Sequence, residues 1–139
     1  MTGPEPQPGI LEISQYVPGG SALPGGVKPV KLCSNESALG ASPKAIAAFH
    51  ADAGGLARYP DGSAGPLKRA IGALYGLDPD RIVCGAGSDE LLSLLAHAYL
   101  GPGTEAIQTA HGFLVYEIVT KAAGAKLVVA PEKNCKVEV

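Results

Sequence analysis

The alternation of strand and helix is clearest in residues 105–130, EAIQTAHGFLVYEIVTKAAGAKLVVA. We predict a strand at Glu105–Thr109, a helix over about 113–123 and a second strand at Lys126–Ala130. Gly124 ends the predicted helix, since glycine readily adopts the conformation that follows a last helical turn. This order of elements is typical of a βαβ unit with parallel strands.

The residues before this unit extend the same pattern toward the N-terminus. We predict a short apolar strand at 81–84, a tight turn at 85–87 and a helix over 88–100. The predicted fold class is therefore α/β, with a parallel or mixed sheet and flanking helices. Parallel sheets are buried on both faces, and the predicted helices are too few to cover both. We therefore expect the chain to be the N-terminal part of a larger fold, which this sequence does not complete.

The first half of the chain has a different composition. Residues 1–29 are rich in glycine and proline and are predicted to form an extended arm that lies on another part of the molecule. A short strand is predicted at 30–33. One helix is predicted to begin at Pro43 after an N-cap at Ser42, and another over 67–75, where apolar residues recur at helical spacing.

Composition and charge exclude several classes of protein. The chain has 11 basic and 13 acidic side chains, and the basic residues form no run, so binding to a nucleic acid backbone is not expected. The longest apolar stretch, 91–100, is much shorter than the roughly 20 residues that span a bilayer. Because the N-terminus lacks the basic start and apolar core of a secretory signal, we expect a cytoplasmic protein without a membrane partner.

The potential metal ligands are scattered along the sequence. The chain contains three cysteines and three histidines, at Cys33, Cys84, Cys135, His50, His97 and His111. None of them forms a cluster with the spacing of a metal site, so we predict no bound metal.

The turn Gly85-Ala86-Gly87-Ser88-Asp89-Glu90, between a predicted strand and a predicted helix, carries the most chemical information. Glycines let the backbone approach a ligand, and the first amides of a helix attract an anion. The alternative is purely structural, with Ser88 as the N-cap and Asp89 and Glu90 as acids that complement the helix dipole. A dinucleotide fingerprint would require a third glycine where Glu90 stands, so the monophosphate of a cofactor fits the turn best.

Six short motifs, in order along residues 10–131, resemble histidinol-phosphate aminotransferases, pyridoxal-phosphate enzymes of fold type I. The motifs are Ser34-Asn35-Glu36, Arg58-Tyr59-Pro60-Asp61-Gly62, Leu67-Lys68, Gly87-Ser88-Asp89-Glu90-Leu91, Leu100-Gly101-Pro102-Gly103 and His111-Gly112-Phe113-Leu114-Val115-Tyr116. Each motif is weak alone, and the ordered set is specific. The chain departs from many relatives at His111-Gly112, where they have Pro-Thr.

The resemblance implies that the cofactor is pyridoxal 5'-phosphate. Gly87, Ser88 and Asp89 would hold its phosphate, and Phe113 would stack on its pyridine ring. Tyr59 would reach across a homodimer interface to the phosphate of the partner's cofactor.

The resemblance also implies substrate contacts and a domain division. Tyr16 and Asn35 would contact the substrate. Residues 1–29 would be an N-terminal arm, 30–56 the start of a small domain, and 57–139 the first part of the large cofactor-binding domain.

No catalytic residue is expected within these 139 residues. The resemblance implies that the lysine that forms the Schiff base, the aspartate that pairs with the pyridinium nitrogen and the arginine that binds the substrate carboxylate all lie beyond Val139. We therefore expect the isolated chain to be inactive as a transaminase.

The resemblance implies that the complete enzyme transfers an amino group between glutamate and imidazole acetol phosphate in histidine biosynthesis. Two alternatives stay open. One is a related aminotransferase or decarboxylase that acts on an aromatic amino acid or an amino-acid phosphate. The other is a small non-catalytic module that binds a phosphate ligand.

Overall fold

The structure, a computed structural model, describes residues 4–17, 24–26, 30, 34, 36–37 and 39–137. It divides into two compact units. The larger comprises Met1–Ser14 with Pro66–Val139, and the smaller comprises Gln15–Gly65.

The smaller unit is built around one helix. Helix α1, Pro43–Asp52, begins where the Ser42-Pro43 pair predicts, and the 3-10 turn Ala53–Gly55 continues it. Ser42 makes no side-chain cap hydrogen bond, so proline at the first helical position is the clearer start signal. Residues 31–33 of the predicted strand lie outside the described residues.

The larger unit contains the remaining helices and the strands. Its 3-10 turns are Ile10–Glu12 and Pro79–Arg81, and its helices are α2 at Gly65–Tyr75, α3 at Ser88–Tyr99 and α4 at Leu114–Ala122. Helix α2 begins one residue before this unit. The strands are β1 at Glu105–Thr109, β2 at Lys126–Ala130, β3 at Glu132–Lys133 and β4 at Lys136–Val137. The predicted α/β class is confirmed.

Strands β1 and β2 pair in parallel, with Glu105 opposite Lys126 and Thr109 opposite Ala130. Both strands have the predicted bounds, and α4 connects them. Because the strands are parallel, their carboxyl ends meet at one edge of the sheet, and the residues that follow each strand emerge there together.

The predicted strand at 81–84 is wrong. Pro79–Arg81 forms a 3-10 turn instead, and the Asp78 carboxylate accepts a hydrogen bond from the backbone N–H of Asp80 at 3.0 Å. Ile82 has an extended backbone, yet the described sheet that contains β1 has only β2 as its other strand. An apolar run specifies extended backbone, but a strand also needs a neighbour for its N–H and C=O groups.

The first part of the predicted arm lies on α4. The Lys121 ammonium donates a hydrogen bond to the backbone oxygen of Glu12 at 3.3 Å, and it pairs with Glu117 at 2.8 Å. Gly9 comes so close that a Cβ on it would lie 2.9 Å from the backbone oxygen of Lys121. The arm is thus held by contacts at the C-terminal end of the helix.

The apolar core of the described residues is small. Ala96 and Ala125 are buried, while Ile107 on β1 is 76% exposed and Val129 on β2 is 51% exposed. Ile107 shares a face with its partner Val128, so Ile107 and Val129 lie on opposite faces of the two-stranded sheet. Each face therefore keeps a large apolar side chain in contact with solvent, although parallel sheets are ordinarily covered on both faces.

Glu132, the first residue of the β3–β4 hairpin, ties this hairpin to the end of β1. Its side chain is 6% exposed, and its carboxylate binds the Nδ1 and the backbone N–H of His111, the latter at 3.3 Å. Hydrogen bonds from the Thr109 hydroxyl and then from His111 hold the pKa of Glu132 below its ordinary range. The carboxylate is therefore ionised at neutral pH.

We predict that Gly72→Ala destabilises the fold. A Cβ at this buried position in α2 would lie 2.6 Å from the backbone oxygen of Leu77 and 3.0 Å from Cγ of Pro79. Overpacking of this kind costs about 1–3 kcal/mol, which outweighs the gain of about 1 kcal/mol in helix propensity. Thermal unfolding measures the loss. Gly101→Ala is the control, since nothing lies within 4 Å of its Cβ, and an equal effect of both variants would contradict the prediction.

We predict that Glu132→Gln changes the pH dependence of stability. Because folding lowers the pKa of Glu132, its carboxylate stabilises the native state above the ordinary glutamate pKa of about 4.3, and this contribution is lost as the pH falls through the lowered value. The free energy of unfolding of the native chain should exceed that of Glu132→Gln most at neutral pH. Urea unfolding between neutral and acidic pH measures the difference, and a constant gap across that range would count against it.

Candidate functional site

The N-terminus of α3 has a glycine at its N-cap. Gly87 has φ 86° and ψ −180°, a region that only glycine populates without strain. Ser88 is the first residue of the helix, so the alternative in which Ser88 is the N-cap is wrong. Glycine has no side chain to cap the helix, so the first amides of α3 have no side-chain capping partner among the described residues.

The turn that precedes α3 packs closely at Gly85 against side chains of the helix. A Cβ on Gly85 would lie 2.8 Å from a carboxylate oxygen of Glu90 and 3.1 Å from Cδ2 of Leu91. The same Glu90 carboxylate accepts a hydrogen bond from the backbone N–H of Ala86. The Glu90 carboxylate therefore lies against residues 85–86, inside the turn.

Ser88 and Asp89 complete an exposed surface that suits a small anion. Both side chains are exposed, and the Ser88 hydroxyl donates a long hydrogen bond of 3.4 Å to Asp89 Oδ1. Backbone N–H groups at the start of a helix bind phosphate well because the helix dipole adds a partial positive charge there. Asp89 lies in the first turn, where its carboxylate also favours the dipole.

Phe113 stands at the start of α4, directly after a tight turn. The backbone N–H of Gly112 donates to the oxygen of Thr109 at 3.0 Å, and Phe113 occupies the N-cap with an extended backbone. Its ring is 46% exposed, and it meets the Tyr116 ring edge-on with centroids 5.8 Å apart. One side of the ring is therefore supported, and the rest remains accessible to a flat ligand.

The topology brings the α3 N-terminus and Phe113 to the same edge of the sheet. Helix α4 begins just after β1 ends, at the carboxyl edge. Helix α3 ends just before β1 begins and packs on α4, and Leu92, Gln108 and Tyr116 line one apolar cavity of about 280 Å³. In open α/β sheets this edge binds ligands, and here it offers an anion site and an aromatic face.

The other predicted site residues belong to the smaller unit. Tyr59 is 99% exposed and, with Arg58 and Asp52, lines a surface cavity near the end of α1. Tyr16 is half-exposed, and Asn35 lies outside the described residues. The roles of these three residues stay predictions.

Glu132 is a residue that the sequence motifs did not single out. It approaches the turn at 109–113, which carries Phe113, from 21 positions away in the chain. A signal was available, since Glu132 comes just after the second of two parallel strands, and such residues share an edge with those that follow the first.

The described residues contain no group of three or more histidine, cysteine or carboxylate side chains placed to hold a metal ion. Among the described helices, none has the length and apolar character to cross a membrane.

The chain is similar over its whole length to enzymes of one kind. It is 58% identical over 140 residues to the histidinol-phosphate aminotransferase of Rhodopseudomonas palustris strain HaA2, covering all of this chain and 38% of that protein. The enzyme of the same name from Paramagnetospirillum magneticum is 58% identical over 132 residues, covering 95% of this chain and 36% of the relative. No family model matches the chain.

A solved structure shares the fold. The crystal structure of histidinol-phosphate aminotransferase from Sinorhizobium meliloti in complex with pyridoxal-5'-phosphate matches with a TM-score of 0.72 and 26% identity. The match covers 76% of this chain and 28% of that one. The resemblance predicted from the motifs is thus confirmed: the chain is homologous over its whole length to histidinol-phosphate aminotransferases, and it spans 38% of the length of the first of these relatives.

Proposed function

We propose that the chain is part of a pyridoxal-phosphate-dependent aminotransferase that moves an amino group between glutamate and imidazole acetol phosphate in histidine biosynthesis. The observation that carries the proposal is the uncapped N-terminus of α3 at Gly87, an anion site where the family motif Gly87-Ser88-Asp89-Glu90-Leu91 begins. The 58% identity to curated enzymes of that name supports the choice of substrate.

The residues at this edge fit the phosphate of such a cofactor. Open space surrounds Gly87, since nothing lies within 4 Å of a Cβ built there, and the helix amides beside it have no side-chain cap. Of the two carboxylates in the first turn, that of Glu90 accepts a hydrogen bond from the backbone N–H of Ala86, and that of Asp89 accepts one from the Ser88 hydroxyl. The cofactor, when bound, supplies an electron sink for reactions at the carbon that bears the amino group.

The chain's own residues would bind and orient. The backbone at Gly87 and Asp89, with the Ser88 hydroxyl, would hold the phosphate by hydrogen bonds and the helix dipole. Phe113 would cover one face of the pyridine ring and exclude water from that face. The edge-to-face contact with Tyr116 would hold the Phe113 ring in position. Such fixed positions reduce the entropy lost when the reacting groups meet.

The proposal extends to assembly and substrate contacts. Tyr59 would reach the cofactor phosphate of the partner subunit in a homodimer, and its 99% exposure in this chain leaves its hydroxyl available for such a contact. Tyr16 and Asn35 would contact the small-molecule substrate. A cytoplasmic location is part of the same proposal.

We further assign residues 57–139 to the large cofactor-binding domain, 30–56 to the start of the small domain and 1–29 to the arm. The placement of Gly87–Asp89 and Phe113 in one compact unit supports the first of these assignments.

We predict that Gly87→Ala weakens binding of pyridoxal phosphate to the complete enzyme by about tenfold, because a side chain at φ 86° shifts the backbone that donates to the phosphate. Absorbance titration of the cofactor measures its Kd. Gly103→Ala is a matched control, since Gly103 also has φ 86° and open space around it but lies in the loop between α3 and β1. Equal weakening by both variants would show that backbone strain, and not the phosphate site, is responsible.

We predict that the isolated 139 residues have no transaminase activity, while the complete enzyme converts histidinol phosphate and 2-oxoglutarate. The family's Schiff-base lysine is expected beyond Val139, and without it the protein has no group to carry the proton. A coupled assay of glutamate formation checks both samples. Turnover by the pure segment would refute this prediction, and a complete gene product that takes up no pyridoxal phosphate would refute the proposed function.

A further inference from the structure

We propose that Glu132 is a positioning residue for the aromatic face of the cofactor site, acting by fixing the turn at 109–113 that presents Phe113. The inference rests on the proposed function, in which Phe113 covers the pyridine ring. Glu132 itself touches neither cofactor nor substrate. It acts through Thr109 and His111, which its carboxylate binds.

The first step is the register of the two parallel strands. Thr109, the last residue of β1, lies opposite Ala130, the last residue of β2. Two residues later Glu132 opens the β3–β4 hairpin, while the chain after Thr109 turns toward Phe113. Both segments leave the sheet at its carboxyl edge, so a side chain on one can reach the backbone of the other.

The second step is the environment of the carboxylate. The Glu132 side chain is 6% exposed, and a buried charge is tolerated only where donors surround it. The donors are the backbone N–H of His111 at 3.3 Å and His111 Nδ1, and the nearby Thr109 hydroxyl contributes to the lowered pKa of the carboxyl. All three belong to the turn that starts at the end of β1. Hydrogen bonds to a charged acceptor are stronger than neutral ones, so the carboxylate restrains this turn strongly.

The third step leads from the turn to the ring. Gly112 alone separates His111 from Phe113, and a Cβ on Gly112 would lie 3.0 Å from the backbone oxygen of Thr109. The turn therefore has little room to shift. On its other side Phe113 accepts a hydrogen bond from the backbone N–H of Tyr116 at 3.0 Å, and the two rings are perpendicular within 1°, at 89°. A displacement of His111 would pass directly to the ring.

A double-mutant cycle on the complete enzyme tests the coupling. The Kd for pyridoxal phosphate is measured by absorbance titration for the native enzyme, Glu132→Gln, Phe113→Leu and the double variant. We expect Glu132→Gln and Phe113→Leu each to raise the Kd by about tenfold, and the double variant to be no weaker than Phe113→Leu. Losses that multiply in the double variant would overturn the proposal, because Glu132 would then act independently of Phe113.

Glu105→Gln is the matched control. Glu105 also bonds a basic side chain 21 positions away, Lys126 at 2.7 Å, but at the amino edge of the same two strands. We expect its Kd for the cofactor to match that of the native enzyme. An equal loss in Glu105→Gln and Glu132→Gln would overturn the proposal, since any charge removed from the strand pair would then suffice.

A second readout does not depend on the cofactor. Hydrogen exchange of the His111 amide in the cofactor-free enzyme should be about tenfold faster in Glu132→Gln, because the N–H loses its charged acceptor. Unchanged exchange at His111 would overturn the proposal. Faster exchange with an unchanged Kd would also overturn it, by limiting Glu132 to a structural role.

The outcomes separate this inference from the proposed function. If the native enzyme binds no pyridoxal phosphate, the proposed function fails and this inference falls with it. If the native enzyme binds the cofactor and Glu132→Gln binds it with the same Kd, the inference alone fails. Should Glu132→Gln not fold, Thr109→Val removes one donor and leaves the two from His111. It is expected to raise the Kd by about threefold, and a native Kd in that variant would refute the proposal.

Discussion

The parallel pairing of β1 with β2 is the constraint on which the described site depends. Residues far apart in sequence share an edge only because both strands point the same way, with Thr109 opposite Ala130. The crossover through α4 makes this pairing possible, and the same helix carries Phe113 at its start. If the strands were antiparallel, Glu132 and His111 would emerge at opposite ends of the sheet.

The elements that the sequence predicts well are those whose signals are local. Strands β1 and β2 have their predicted bounds, and α1 starts at its proline. The strand at 81–84 fails because pairing is not local: the run is apolar, but no described strand lies beside it, and Pro79 with Asp78 favours a 3-10 turn. A local sequence can favour an extended backbone, whereas a strand forms only where another strand pairs with it.

The candidate site divides in the same way. Glycines at 85 and 87 mark the turn before α3, and the structure explains each separately, by close packing at Gly85 and by a positive φ at Gly87. The N-cap of α3 is harder to predict from sequence, because serine and glycine both favour that position. Glu132 belongs to none of the sequence motifs, and its contact with His111 spans 21 residues of the chain. The role that the resemblance implies for Tyr59 requires a second subunit, and it stays a prediction.

The exposed apolar side chains on the two faces of the β1–β2 sheet have a consequence for the behaviour of the chain in isolation. Among the described residues β1 and β2 are both edge strands, so each offers a row of N–H and C=O groups with no described partner beside apolar side chains such as Ile107. Such edges recruit strands from other molecules. Separated from covering structure, the segment would therefore be prone to self-association through these edges, increasingly so as its concentration rises.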